Sequence, residues 1–166
     1  GLVTDWNVMV FTVTTESSRD RSEEYYKETF NKDYLAPIGG EANAVLAAGA
    51  KVAYKDEAGA AQTAEAAAME ANSLGWVSSE WGEDQLGRKV AYASCMLKSD
   101  KAQTVTCYSG SDDEIKVFVN GKVVHESYDA RSCESRQDEF TVELKAGLNP
   151  VIVKTSQRSQ SWVFVM

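Results

Sequence analysis

At 166 residues the chain fits one domain or one compact module of a longer protein, and 43% apolar with 25% charged residues is ordinary for a globular core rather than a disordered segment. A net charge of -8 argues against nucleic acid, because phosphate binding needs clustered Lys and Arg, and equally against anionic membrane surfaces. No apolar run approaches the length of a membrane-spanning helix, and a start at Gly1 without initiator Met or signal peptide reads as a mature or excised segment.

In chain order, Leu2 to Val13 places Trp6, Val8, Val10 and Thr12 on one face and Met9, Phe11 and Val13 on the other, which predicts a strand buried on both sides or one with a bulge. Glu16 to Glu24 is polar surface loop, and Glu23 to Phe30 predicts a short helix or turn with Tyr26 and Phe30 at i and i+4. Pro37, Gly39 and Gly40 carry turn chemistry. Ala42 to Ala71 is rich in alanine, and Gly59 to Asn72 reads as helical on propensity, so a surface excursion with a turn or two of helix is expected there.

From Trp76 onward the pattern is β throughout. Short runs at Trp76–Trp81, Val90–Leu97, Thr104–Tyr108, Ile115–Val119, Lys122–His125, Glu139–Leu144, Pro150–Lys154 and Trp162–Val165 are separated by turn residues. Asn120-Gly121 stands between two of them, and both residues tolerate the positive φ that a type I′ hairpin demands. Many short strands with a little helix in the first half predict an all-β fold, a jelly-roll β-sandwich of two antiparallel sheets, as a single module over residues 1–166. The strand-like ends, Val8–Phe11 and Trp162–Met166, give the alternative reading of an extracellular structural or adhesive subunit that self-associates through unpaired edge strands.

Three cysteines, Cys95, Cys107 and Cys133, allow three single disulfides with one thiol left over. Cys95 and Cys107 become cross-strand neighbours if their two runs pair around Asp100-Lys101; buried free thiols are the alternative. One histidine, His125, and no Cys-x-x-Cys spacing argue against structural zinc and against a Ser-His-Asp triad.

Four segments carry a family resemblance: Ala91-Tyr92-Ala93-Ser94; Gly110-Ser111-Asp112-Asp113-Glu114 running into the Ile115–Val124 hairpin; Asp138–Asn149; and Val151-Ile152-Val153-Lys154 with Trp162-Val163-Phe164. Asp5-Trp6-Asn7-Val8 and Leu35-Ala36-Pro37-Ile38-Gly39-Gly40-Glu41 add to it. Together they resemble the galactose-binding-like jelly rolls that serve as accessory modules in bacterial polysaccharide-active and cell-surface proteins. The chain departs at Glu114, where such modules often have Gly, and at Met9-Val10-Phe11 in the opening strand. The resemblance implies a non-catalytic carbohydrate-binding module, extracellular or on the cell surface, whose partner is a polysaccharide or glycan.

Candidate sites follow. Asp112 and Asp113 at a strand entrance supply the hard oxygen ligands of a structural Ca²⁺, as an Asp-Asp pair does in the distantly similar flocculin-type lectins, or cap backbone N–H groups of a turn. Sugar modules stack pyranose faces on exposed aromatic rings, for which Trp76, Trp81, Tyr108 and Tyr128 are candidates, while Trp6 and Trp162 read as core. Arg131, with Arg136, lies in the polar loop His125–Asp138 and can pair bidentately with acidic sugars.

Overall fold

A computed structural model of the protein describes residues 2–79, 86–158 and 160–166. Its strands are β1 (Asp5–Thr14), β2 (Lys51–Lys55), β3 (Ala61–Glu65), β4 (Ala67–Glu70), β5 (Trp76–Ser78), β6 (Arg88–Ser99), β7 (Gln103–Asp112), β8 (Ile115–Val119), β9 (Lys122–Ser127), β10 (Asp138–Leu144), β11 (Gly147–Gln157) and β12 (Val163–Val165), with one α-helix, α1 (Glu23–Asn31). A six-stranded sheet in the order β4-β1-β6-β11-β8-β9 packs on a four-stranded sheet, β10-β7-β12-β5, and β2 and β3 form a separate hairpin. The protein is an all-β sandwich.

The double-sided apolar pattern of β1 decides the layering. Trp6 and Val8 join Ala91, Val117, Val151 and Val153 on the inner face and meet Val142, Trp162 and Phe164 of the second sheet. Trp6 and Phe164 pack edge to face at 5.1 Å. Met9, Phe11 and Val13 point the other way and, with Tyr92, Phe118 and Ile152, are covered by Tyr34, Leu35, Leu46 and Val52. Each large side chain buried in either core contributes roughly 1.5–3 kcal/mol, so the central sheet is held from both sides.

Helix α1 forms where expected. Ser22 caps it by accepting from the Tyr25 N–H at 3.1 Å, Glu23 and Glu24 sit in its first turn where the helix dipole favours them, and Tyr26 and Phe30 bury one face. The Asn120-Gly121 hairpin also forms, with φ of 52° and 76°. A Cβ on Gly121 would stand 2.4 Å from the Ala42 carbonyl, so the turn needs glycine both for its φ and for that close approach.

Two expectations are corrected, and the open choice between a Cys95–Cys107 disulfide and free thiols is decided. The alanine-rich stretch Gly59–Asn72 is not helical but supplies β3 and β4: Ala64 and Ala66 fit flush against the second core, and pairing with β2 and β1 satisfies the backbone, whereas an alanine helix would bury too little. Cys95 and Cys107 do not pair, because β6 bonds to β1 and β11 while β7 bonds to β10 and β12, on opposite sheets about 10 Å apart. All three cysteines are free thiols. The two chain ends are not edges either: β1 is flanked by β4 and β6, and β12 by β7 and β5.

Candidate functional site

The Asp112-Asp113 pair sits where β7 turns into β8, joined by a cis peptide. Asp113 works as a turn organiser. Its Oδ1 accepts the Arg131 N–H at 3.1 Å, its Oδ2 accepts the Arg158 N–H at 2.7 Å, and its own N–H donates to the Ser156 carbonyl at 2.8 Å. Burial pushes its carboxyl upward against those two hydrogen bonds. Asp112 is half-buried on the outer side of β7, and burial, then the charge of Asp113, pushes its carboxyl up to about 6. Both Asp113 oxygens accept backbone N–H groups, and among the described residues no group of three or more His, Cys, Asp or Glu side chains converges at the pair.

Arg131 is brought to Asp113 through its backbone, but its guanidinium turns to Asp138, with bonds of 2.8 and 2.6 Å, and to the Ser111 hydroxyl at 2.8 Å. Burial works to raise the Asp138 carboxyl, yet Arg131 and His125 outweigh it and hold the group low. His125 stacks on Phe140 at 4.8 Å, with Nε2 3.1 Å from Asp138 Oδ2 but off the line of a hydrogen bond. The fork that would have met a uronate is already spent within the fold.

Trp76, Tyr108 and Asp112 alternate onto the outer face of the four-stranded sheet, where Trp76 pairs with Val165, Val165 with Gly110, and Val163 with Asp112. They do not make one platform. The β9–β10 loop lies on Gly110, where a Cβ would be 1.8 Å from the Glu134 carbonyl, and so separates the Tyr108 ring from Trp76. Arg136 covers Tyr108 at 4.1 Å. Tyr128 leaves this region altogether: its ring meets Phe30 of α1, its hydroxyl donates to Asn31 at 2.9 Å, and Lys27 and Lys116 stand over its ring. Trp81 lies outside the described residues. Trp6 and Trp162 are core, at 3% and 1% exposure.

Behind the loops lies a buried charge network. Arg88, fully buried, donates to the carbonyls of Tyr26 and Gln157 at 2.8 and 2.9 Å and to the Thr29 hydroxyl at 2.6 Å, with Glu114 at 3.5 Å. Glu114 also accepts from Ser156 and faces Arg158 at 3.4 Å. Nearby on β11, buried Lys154 donates to the Lys32 carbonyl at 2.8 Å and to Glu41 at 2.5 Å; burial pulls its ammonium down to about 8. These groups hold α1 and its following loop on the sheet.

The unused polar surface is elsewhere. The outer layer covers Met9, Phe11, Tyr92 and Ile152 but stops short of the start of β1. Beyond it Asp5 and Asn7 of β1, Ala68 and Glu70 of β4, and Ser94 and Met96 of β6 line an open depression of about 750 Å³. Strand register aligns Asn7 with Ala68 on one side and Ser94 on the other, and Asp5 with Glu70. Ser94 is 4% exposed and lines this space. Asp5 accepts from the Thr4 hydroxyl at 2.8 Å, while Asn7, Ser94 and Glu70 have no side-chain hydrogen-bond partner among the described residues. The alternation Asp5-Trp6-Asn7-Val8 carried half of this site in the sequence. Glu70 was hidden because its segment reads as helix.

No protein-family model matches the chain, and no curated protein matches it. Among solved structures, a PA14 domain of an antifreeze protein is 14% identical over 46% of this chain and 40% of its own, with a TM-score of 0.39. A PA14 sugar-binding domain from an RTX adhesin is 15% identical over 48% and 46%, also at 0.39. An isomalto-dextranase of Arthrobacter globiformis complexed with panose is 10% identical over 62% and 25%, at 0.32. Each match takes in less than half of the other chain. The likeness is partial, and the site stands on its own geometry.

Proposed function

We propose that the chain is a non-catalytic carbohydrate-binding module, extracellular or on a cell surface, and that it holds its glycan in the depression on β4, β1 and β6. The observation that carries this reading is the cross-strand pair Asn7 and Ser94 with Glu70 on the neighbouring strand, polar side chains left unpartnered among the described residues in a concavity of about 750 Å³. That size lies within the roughly 300–1,000 Å³ of small-ligand sites. Sugar hydroxyls donate to carboxylates and exchange hydrogen bonds with an amide and a hydroxyl, while Met96 and Ala68 give the C–H face of a ring an apolar rest. A chemical role has less support, since the one histidine faces Phe140 and Asp138 rather than a hydroxyl nucleophile.

A glycan array, followed by titration of a hit while backbone amide NMR shifts are recorded, tests this. Shifts should cluster at Asn7, Glu70 and Ser94, and Asn7→Ala should weaken binding by about tenfold, the loss of one or two hydrogen bonds. Binding to no glycan, or shifts confined to the opposite sheet with Asn7→Ala neutral, would overturn it.

A further inference from the structure

Asp5 and Glu70 are direct cross-strand partners on the same face of the sheet. Such partners have Cβ atoms about 4.5–5.5 Å apart, and like charges in this position repel. Among the described residues neither carboxylate is in an ion pair. The basic groups nearby are placed otherwise: Lys51 is engaged by Glu65 at 3.6 Å, and Lys98, aligned with Leu148, is not part of the depression's lining. Beside this doubled negative charge Ser94, a residue 4% exposed whose hydroxyl has no hydrogen-bond partner among the described residues, lines the same space as Asn7. An ammonium lodged between two carboxylates relieves their repulsion and gains charge-assisted hydrogen bonds, leaving hydroxyl groups of the same ring for Asn7 and Ser94.

Resting on the carbohydrate reading of this depression, we infer that its preferred glycans carry protonated amines, that is, deacetylated hexosamine units. An acetamido group in the same place would be neutral and would leave both carboxylates unpaired.

The test is calorimetric titration, with amide NMR, of three soluble β-linked oligosaccharides of equal length built from glucosamine, N-acetylglucosamine and glucose, at one mildly acidic pH at which the sugar amine is protonated. The glucosamine oligomer should bind about tenfold or more tightly than the other two, shift the amides of Asn7, Glu70 and Ser94, and weaken with added salt. In the double variant Asp5→Asn, Glu70→Gln the preference should disappear. Equal binding of all three at those amides would overturn the amine preference and leave the carbohydrate site standing. Binding of none would overturn the amine preference, while the carbohydrate reading would stand or fall on the glycan array. A preference that persists in the double variant would be general attraction of a polycation to an acidic protein, and would overturn the inference as well.

Discussion

Asp112 shows how a single residue's setting decides its role. Its two-carboxylate neighbourhood looks like a cation site in sequence, but Asp113 spends both oxygens on backbone N–H groups, and Asp112 is left half-buried with its carboxyl pushed up to about 6. A folded-state value above the ordinary 3.8 means that the fold favours the protonated form. That contribution to stability is full below about pH 4 and is lost as pH rises through about 6. Asp112→Asn should therefore stabilise the protein by about 1 kcal/mol above pH 7, a figure reduced for solvent screening, with the gain vanishing below about pH 4. Urea melts of both proteins across pH check it. Glu114 is the opposite case. It is buried at 1% exposure between Arg88 and Arg158. Glu114→Ala leaves Arg88 without its counter-charge and should cost about 3–5 kcal/mol in chemical denaturation, the penalty of an uncompensated buried charge.

Among the elements, the hairpin was legible because Asn120 and Gly121 act locally: positive φ at two adjacent positions is a property of the residues themselves. Helix α1 was legible through its i, i+4 aromatic pair, Tyr26 and Phe30. The strands β3 and β4 were not, since alanine, glutamate and methionine favour helix when isolated, and only pairing with β1 and β2 makes the extended form win. The β9–β10 loop is equally tertiary in origin. Its polar residues read as a ligand surface, yet Arg131 and Gln137 fasten it to β7 and β10, and its backbone rests on Gly110. Gly110→Ala should lift this loop at a cost of about 1–3 kcal/mol, typical of an overpacked site, while Cys133, a buried residue of the loop itself, becomes faster to alkylate than in the parent protein. Equal stability and equal labelling rates would show that the loop does not rest there.

For the molecule as a whole, the central sheet separates two cores, and the outer one depends on a layer that contributes no strand to either large sheet beyond its own hairpin. Phe30 is the helix residue buried deepest in that layer, close to the Lys154 ammonium that holds the Lys32 carbonyl and Glu41. Phe30→Ala should cost about 3–5 kcal/mol, and hydrogen exchange should quicken in α1 and the following loop before it does in β6 and β11. Uniform exchange across the two regions would mean that the layers unfold as one unit.

By itself the sequence determined the all-β class, the hairpin, the short helix and the assignment of Trp6 and Trp162 to the core, because alternation, turn chemistry and i, i+4 spacing act over a few neighbouring residues. Only the tertiary structure decided what those neighbours could not: which faces of the central sheet are covered, which charged groups are consumed in holding the loops, and which remain free. Asp5, Asn7, Glu70 and Ser94 come from three strands whose register is set by long-range pairing, so the depression they line exists only once the sheet has formed.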